Sequence, residues 1–228
     1  MRQEMCHKPY SQLIGSLMYA AICTRPDIAY STSTLAQFMS DPSPTHWEAT
    51  KRVLRYLKGT KNLVLMFGGD LTDLTGFTDA DWGSQAHRHS ISGSVFMFCG
   101  GAISWSSRKQ LLIALSSTEA EYIAASDTAH ELIWLRNLIS EIILPITNST
   151  VLFCDNQSAI RIATSSLIKT RTKHIDICYY FIRHVHESGT LTLEYCPTDE
   201  MVADIFTKAL ARPQLEYLVE RLGLEGEC

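Results

Sequence analysis

The order of short apolar runs and helical patterns after Leu63 restricts the fold more than any other feature of this chain. LVLMF, LTGFTDA, SVFMFC and AISWS read as consecutive strands, rich in β-branched and aromatic residues. Gly100-Gly101, between the last two, marks a hairpin in which both turn positions tolerate φ > 0. A long helical pattern then runs from about Ser117 to Ile143, followed by VLFCD as a short buried strand and NQSAIRIATS as a helix. TRTKHIDICYYFIRHVHESG is helical again and closes at Gly189, TLTLEYC is a strand, and a last helix is expected to contain Met201 to Leu210. A meander followed by strand-helix-strand crossovers predicts an α/β fold with a mixed sheet flanked by helices, because parallel neighbours need a long crossover and antiparallel ones do not.

The first sixty residues read as helices. Pro26-Asp27 places proline near a first helical turn, and Ile28, Leu35 and Phe38 recur at a helical period until Asp41-Pro42-Ser43-Pro44 stops the run. A second amphipathic stretch from Thr45 sets Trp47, Val53, Leu54 and Leu57 against Lys51, Arg52, Arg55 and Lys58, and ends at Gly59. The expected organisation is a helical segment over residues 1–62, an α/β domain over 63–210 and a C-terminal helical tail over 211–228.

Among the 228 residues no apolar run approaches the roughly 18 to 20 needed to cross a bilayer, and the opening MRQEMCHKPY has no signal-peptide core, so a soluble intracellular chain is expected. Seven cysteines without a C-x-x-C pair argue for reduced thiols rather than a disulfide framework or zinc knuckle. The formal charge of −4 conceals a pattern: residues 1–69 carry eight Lys/Arg against four Asp/Glu, 70–155 four against ten, 156–186 five against one, and 187–228 three against nine. Two basic blocks thus alternate with two acidic ones, which fits either a phosphate-binding surface beside a carboxylate-rich pocket or merely solvated faces.

Four acidic residues stand where strands end or helices begin: Asp79 in FTD, Glu121 in SSTEAEYIAAS, Asp155 in VLFCD and Asp204 in MVADIFTKAL. Each has a plain structural reading. Asp79 and Asp155 suit strand ends or helix caps, and Asp204 suits the first turn of a helix. Thr118-x-x-Glu121 and Ser116-x-x-Glu119 are both capping boxes, but one helix start needs only one, so one glutamate is surplus. Asp79 and Asp81 fall on one strand face, and alternation alone leaves them tied. Taken together, carboxylates clustered without matching Lys or Arg repel one another, and such pockets normally hold hard divalent cations such as Mg²⁺ or Mn²⁺.

FTDADWG, ALSSTEAEYIAAS, FCDNQSAI, TKHIDICYYFIRH and ADIFTKAL resemble the ribonuclease H domain of Ty1/copia-type retrotransposon Pol polyproteins. PYSQLIGSLMYAA, TRPDIAYSTSTLAQFM and HWEATKRVLRYLKGT resemble the helical tail of the reverse transcriptase that precedes it there. The resemblance implies a ribonuclease H-like mixed five-stranded sheet, two Mg²⁺ ions (Mn²⁺ as a substitute), and endonucleolytic hydrolysis of the RNA strand of RNA/DNA hybrids. It implies Asp79 as the carboxylate bridging both ions, Glu121 and Asp155 completing one site, and Asp204 helping to hold the ion that activates water. It also places Gln157, Ser117 and Thr118 at the hybrid's minor groove, and makes Arg161, Lys169, Arg171, Lys173 and Arg183 candidates for phosphate contacts. The polymerase's own paired aspartates are absent. Partners implied are the hybrid and the rest of the Pol polyprotein, without a membrane, in cytoplasmic virus-like particles with the nucleus left open.

One departure stands out. Cellular members carry a histidine shortly before the last aspartate, whereas here the loop is Cys196-Pro197-Thr198-Asp199-Glu200-Met201; His174 is the motif-matched substitute. His184 and His186 make no zinc pair, and His87 and His89 are expected to face solvent. The competing readings are a non-catalytic hybrid-binding or connection module of a larger reverse transcriptase, and a DNA-strand nuclease or integrase on a related fold.

Overall fold

The computed structural model describes residues 5, 7–68, 73–85, 88–143, 145–164 and 176–226, with side chains from residue 180 onward in the last stretch. Three helices come first: α1 (Tyr10–Cys23), α2 (Ala29–Ala36), entered through the 3-10 turn Pro26–Ile28, and α3 (Pro44–Gly59). Ser43 starts α3 by accepting from the His46 N–H, while His46 Nδ1 accepts from the Ser43 N–H and Pro44 sits in the first turn. Tyr10, Ile14, Leu17, Ile28, Leu35 and Val53 close a small core between the helices.

A buried ion pair locks that core to the end of α3. The Arg25 guanidinium donates twice to Asp27, at 2.9 and 2.6 Å, and also to the Thr60 carbonyl and hydroxyl oxygens at 3.0 and 2.7 Å. Tyr56 adds a third donor to Asp27 at 2.7 Å. Burying both charges is tolerable because their hydrogen-bonding capacity is so fully used.

The α/β part contains β1 (Val64–Leu65), β2 (Thr75–Asp81), β3 (Ile91–Phe98), β4 (Gly101–Lys109), α4 (Ser117–Ile142), β5 (Thr150–Cys154), α5 (Gln157–Thr164), α6 (Asp176–Glu187) and β6 (Leu191–Tyr195). Helix α7 (Arg212–Arg221) and strand β7 (Leu224–Glu225) follow. The main sheet has five strands in the order β4-β3-β2-β5-β6, with β3 antiparallel to both neighbours and β2, β5 and β6 mutually parallel. This is the mixed, helix-flanked ribonuclease H-like arrangement expected. Helices α4, α5 and α6 cover one face through Tyr122, Leu132, Ala163 and Ile182, over Phe96, Leu152 and Leu191. On the other face Phe77 and Val95 pack beneath Met201, Phe206, Leu218 and Leu222.

Three local expectations need correction. LVLMF contributes only Val64 and Leu65, which leave the main sheet and pair with β7. The β3-β4 turn lies one residue early, with positive φ at Cys99 (51°) and Gly100 (83°). Gly101 is there for closeness instead: a Cβ would meet the Met66 carbonyl oxygen at 2.5 Å. Finally, Met201 to Leu210 form no α-helix. Met201 is extended between the 3-10 turns Thr198–Glu200 and Val202–Phe206, and all five residues of the second turn are buried. The Asp204 and Thr207 N–H groups bond three residues back, to the Met201 and Asp204 carbonyl oxygens, in the tight 3-10 manner, and the segment lies flush against β3.

Gly93 of β3 makes that packing possible, since a Cβ there would meet Thr207 Cγ2 at 2.6 Å and the Ala203 carbonyl oxygen at 2.9 Å. Gly15, within α1, has nothing within 4 Å. Gly93→Ala should therefore lower stability by about 1–3 kcal/mol through overpacking, whereas Gly15→Ala should raise it by up to about 1 kcal/mol. Chemical denaturation of the two variants checks the opposite signs.

Candidate metal centre

Asp79 lies on β2, which is hydrogen-bonded on both sides, and its register partner on β3 is Gly93. Its side chain is thus fixed beneath the turn that Gly93 admits. The Thr207 hydroxyl donates to Asp79 Oδ2, and the Asp79 and Asp204 carboxyl groups are close enough to hydrogen-bond. Asp204 is itself buried, 4% exposed, within the second 3-10 turn. Strand β5 stops pairing with β2 at Thr78, and beyond that point the Ala80 backbone N–H serves Glu121.

The two capping boxes resolve clearly. Ser116 accepts from the Glu119 N–H and Glu119 accepts from the Leu115 N–H, so Glu119 serves the helix start. Glu121, 5% exposed, is the surplus glutamate, and its Oε2 is buried without a hydrogen-bond partner among the described residues. Oxygens of Glu121 and Asp155 lie with the Cys154 sulfur inside a 4.8 Å group. Asp155 is not the cap of α5 either: Asn156 accepts from the Ala159 N–H at 3.0 Å, while Asp155 accepts from the Thr198 hydroxyl at 2.9 Å.

Electrostatics bind the four carboxylates into one centre. Burial, then the charges of Asp79 and Asp155, push Glu121 well above the usual carboxylate range. Burial also raises Asp79 against the opposing pull of Lys208 and Thr207. Burial and the neighbouring Asp79 push Asp204 up to about 7. The expectation of carboxylates without a matching cation needs correction, because Lys208 Nζ sits 2.8 Å from Asp204 Oδ1 and 3.8 Å from Asp79 Oδ2. Burial disfavours its charge, but Asp79 and Asp204 outweigh that and raise the ammonium's pKa. Lys208 was visible in ADIFTKAL, one helical turn after Asp204, and i,i+4 spacing was its signal. Thr207, Thr198 and Gly93 carried no comparable signal.

The donor set suits a hard divalent ion. It offers carboxylate oxygens from four separate segments, one of them buried and unbonded, against one ammonium.

Of the expected substrate contacts, Gln157 and Ser117 are exposed and Thr118 half-buried, at the starts of α5 and α4 beside Asp155 and Glu121. Arg161 is exposed in the last turn of α5. Arg183 instead turns inward to the Ile162 carbonyl oxygen at 3.5 Å. Lys169, Arg171, Lys173 and His174 lie outside the described residues. His89, expected in solvent, is half-buried, and its Nδ1 lies 2.8 Å from the Gln110 carbonyl oxygen. Asp81 is only partly buried, and its charge is felt at Tyr30 of the helical segment.

No protein-family model matches the chain. The Retrovirus-related Pol polyprotein from transposon TNT 1-94 of Nicotiana tabacum is 45% identical over 224 residues, 98% of this chain and 17% of its own length. Pol polyproteins from transposons of Arabidopsis thaliana and Saccharomyces cerevisiae align over nearly the whole chain as well. Over most of its length the chain is thus homologous to a segment of Ty1/copia-type Pol polyproteins. It spans about a sixth of the length of the Pol polyproteins it matches. Secreted RxLR effector protein 161 of Plasmopara viticola is 48% identical over 133 residues, 58% of this chain and 94% of that protein. Among solved structures, a foamy viral protease-reverse transcriptase dRH in complex with double-stranded DNA superposes with a TM-score of 0.50 at 12% identity, over 84% of this chain and 32% of that one. That likeness is one of fold.

The carboxyl shifts give a signed pH effect. Groups whose folded pKa is raised stabilise the fold fully below their unfolded value, about 4, and lose that contribution as pH rises through the folded value, about 7 for Asp204. Without divalent ions, the melting temperature should fall between about pH 5 and about pH 8. Asp204→Asn should flatten that slope in scanning calorimetry.

Proposed function

We propose that the chain is the ribonuclease H part of a retrotransposon reverse transcriptase, hydrolysing the RNA strand of RNA/DNA hybrids with two divalent cations. The observation that carries this reading is the buried Glu121 oxygen without a hydrogen-bond partner among the described residues, in a side chain that adjoins Asp155 and feels the charge of Asp79, while the ammonium of Lys208 pairs only with Asp79 and Asp204. In this reading residues 1–62 are the helical tail of the polymerase and 211–228 a C-terminal helical tail.

In this reading Asp79, whose carboxyl group bonds that of Asp204 and whose charge acts on Glu121, would hold both ions, Glu121 and Asp155 would complete one site and Asp204 the other. Bound there, divalent cations supply charge stabilisation for the entering and departing oxygens of an in-line displacement at phosphorus. The Thr207 and Thr198 hydroxyls keep Asp79 and Asp155 oriented, as outer partners of a metal site do. Gln157, Ser117 and Thr118, at the starts of α5 and α4, would in this reading meet a minor groove, where the 2′-hydroxyl separates RNA from DNA. Arg161 supplies charge for the backbone, which positions without reading sequence. Cleavage in this geometry leaves a 3′-hydroxyl and a 5′-phosphate.

A labelled hybrid incubated with the chain and Mg²⁺ should be cut in its RNA strand, while duplex DNA and duplex RNA stay intact. Asp79→Asn should reduce cleavage by more than the ~10–100-fold typical of outer-shell changes, yet keep hybrid binding. Asp81→Asn should cleave nearly as the wild type does. A folded wild-type chain that leaves the hybrid intact would mark it as a non-catalytic clamp.

A further inference from the structure

Lys208 is absent from every role assigned above, yet it is the residue most intimately placed among the carboxylates. Its backbone N–H bonds the Asp204 carbonyl oxygen at 3.2 Å, which fixes its Cα directly after the 3-10 turn. Its ammonium bridges Asp204 and Asp79 at 2.8 and 3.8 Å. The side chain is nevertheless 35% exposed. It also lines a cleft of about 260 Å³ between the helical segment and the α/β domain, together with Tyr30, Ser31, Arg52, Tyr56 and Leu215. The side chain therefore borders open space, which a change of its torsions alone would let the ammonium reach.

We infer that Lys208 is a built-in competitor for the divalent cation at Asp79 and Asp204: its ammonium neutralises the pair when no ion is bound and swings into the cleft when one arrives. This rests on the metal reading proposed above. With its nitrogen 2.8 Å from Asp204 Oδ1, the ammonium fills the space that a cation bound to that oxygen would need, and the repulsion between the two charges adds to that exclusion. A flexible lysine suits exchange better than arginine, being a point charge on a four-carbon stem with rotatable donors. The device keeps buried carboxylates from standing unpaired, at the expense of metal affinity.

Calorimetric Mg²⁺ titration at about pH 8, where protons compete least, tests it with wild type, Asp79→Asn, Lys208→Met and Lys208→Arg. Lys208→Met should bind Mg²⁺ at least about fivefold more tightly, the lower end of ordinary coupling between two ligands, and should melt at a lower temperature without divalent ions. Lys208→Arg, which keeps the charge, should stay near the wild type in both. Equal affinity of wild type and Lys208→Met would overturn the inference while leaving the metal site standing. Wild-type Mg²⁺ binding that is absent, or unchanged in Asp79→Asn, would overturn the metal reading and the inference with it. Should Lys208→Met fail to fold, the wild type still decides: the ¹⁵Nζ resonance of Lys208 must shift on saturation with Mg²⁺, and an unmoved resonance overturns the inference.

Discussion

Uncompensated negative charge at one end of β2 is the constraint around which the rest of this molecule is arranged. Asp79, Glu121 and Asp204 are each buried to within a few per cent of complete exclusion from water. Ionised carboxylates in such surroundings are unfavourable unless paired, protonated or bound to a cation. Each local device answers that pressure: the Thr207 and Thr198 hydroxyls, the Ala80 N–H and the Lys208 ammonium. None neutralises Glu121, whose second oxygen has no partner among the described residues. A fold concerned only with stability would place an apolar side chain there, as the neighbouring Tyr122 and Ala124 do for their own surroundings.

Topology explains why the charge collects at this edge. Strands β2 and β5 are parallel, so Asp79 and Asp155 both stand toward their carboxyl ends, and the crossover helix α4 starts with Glu121 at the same edge. Parallel neighbours gather residues that are distant in sequence, and open α/β sheets use this edge for binding. The last carboxylate arrives differently, pressed onto the sheet over Gly93 by a turn that belongs to the opposite core. Two layers therefore meet at Asp79: α4 reaches it around the end of the strand and the 3-10 turn reaches it face-on.

What was legible in the sequence follows from this division. Periodicity located the sheet strands, the long helix and the edge at which Asp79, Glu121 and Asp155 gather, because those features depend on repeating local patterns. Segments whose form is set by close packing between layers were not legible. Gly93 looks like any strand glycine, and VADIF resembles a helix until its close approach to β3 is known. The choice between Glu119 and Glu121 was open because both frames satisfy the same capping pattern, and only the seat of α4 on the sheet decided it. Lys208 escaped because a lysine one turn after an aspartate is ordinary on an exposed helix, and its meaning depends on the burial of its partner.

The helical segment also has a bearing on the centre that its sequence did not disclose. The Trp105 indole N–H donates to the Ala21 carbonyl oxygen at 2.7 Å and the Ser33 hydroxyl to the Ser107 carbonyl oxygen at 2.9 Å, so α1 and α2 are keyed to β4 by bonds from both sides. That docking brings Tyr30 and Arg52 to the cleft that Lys208 lines. The buried Arg25–Asp27 pair then holds the end of α3 to the turn that enters α2. A shift of these helices would change the room available to Lys208 beside Asp204. Helices α2 and α3 thus line one side of the cleft that Lys208 borders, while α1 holds them to β4.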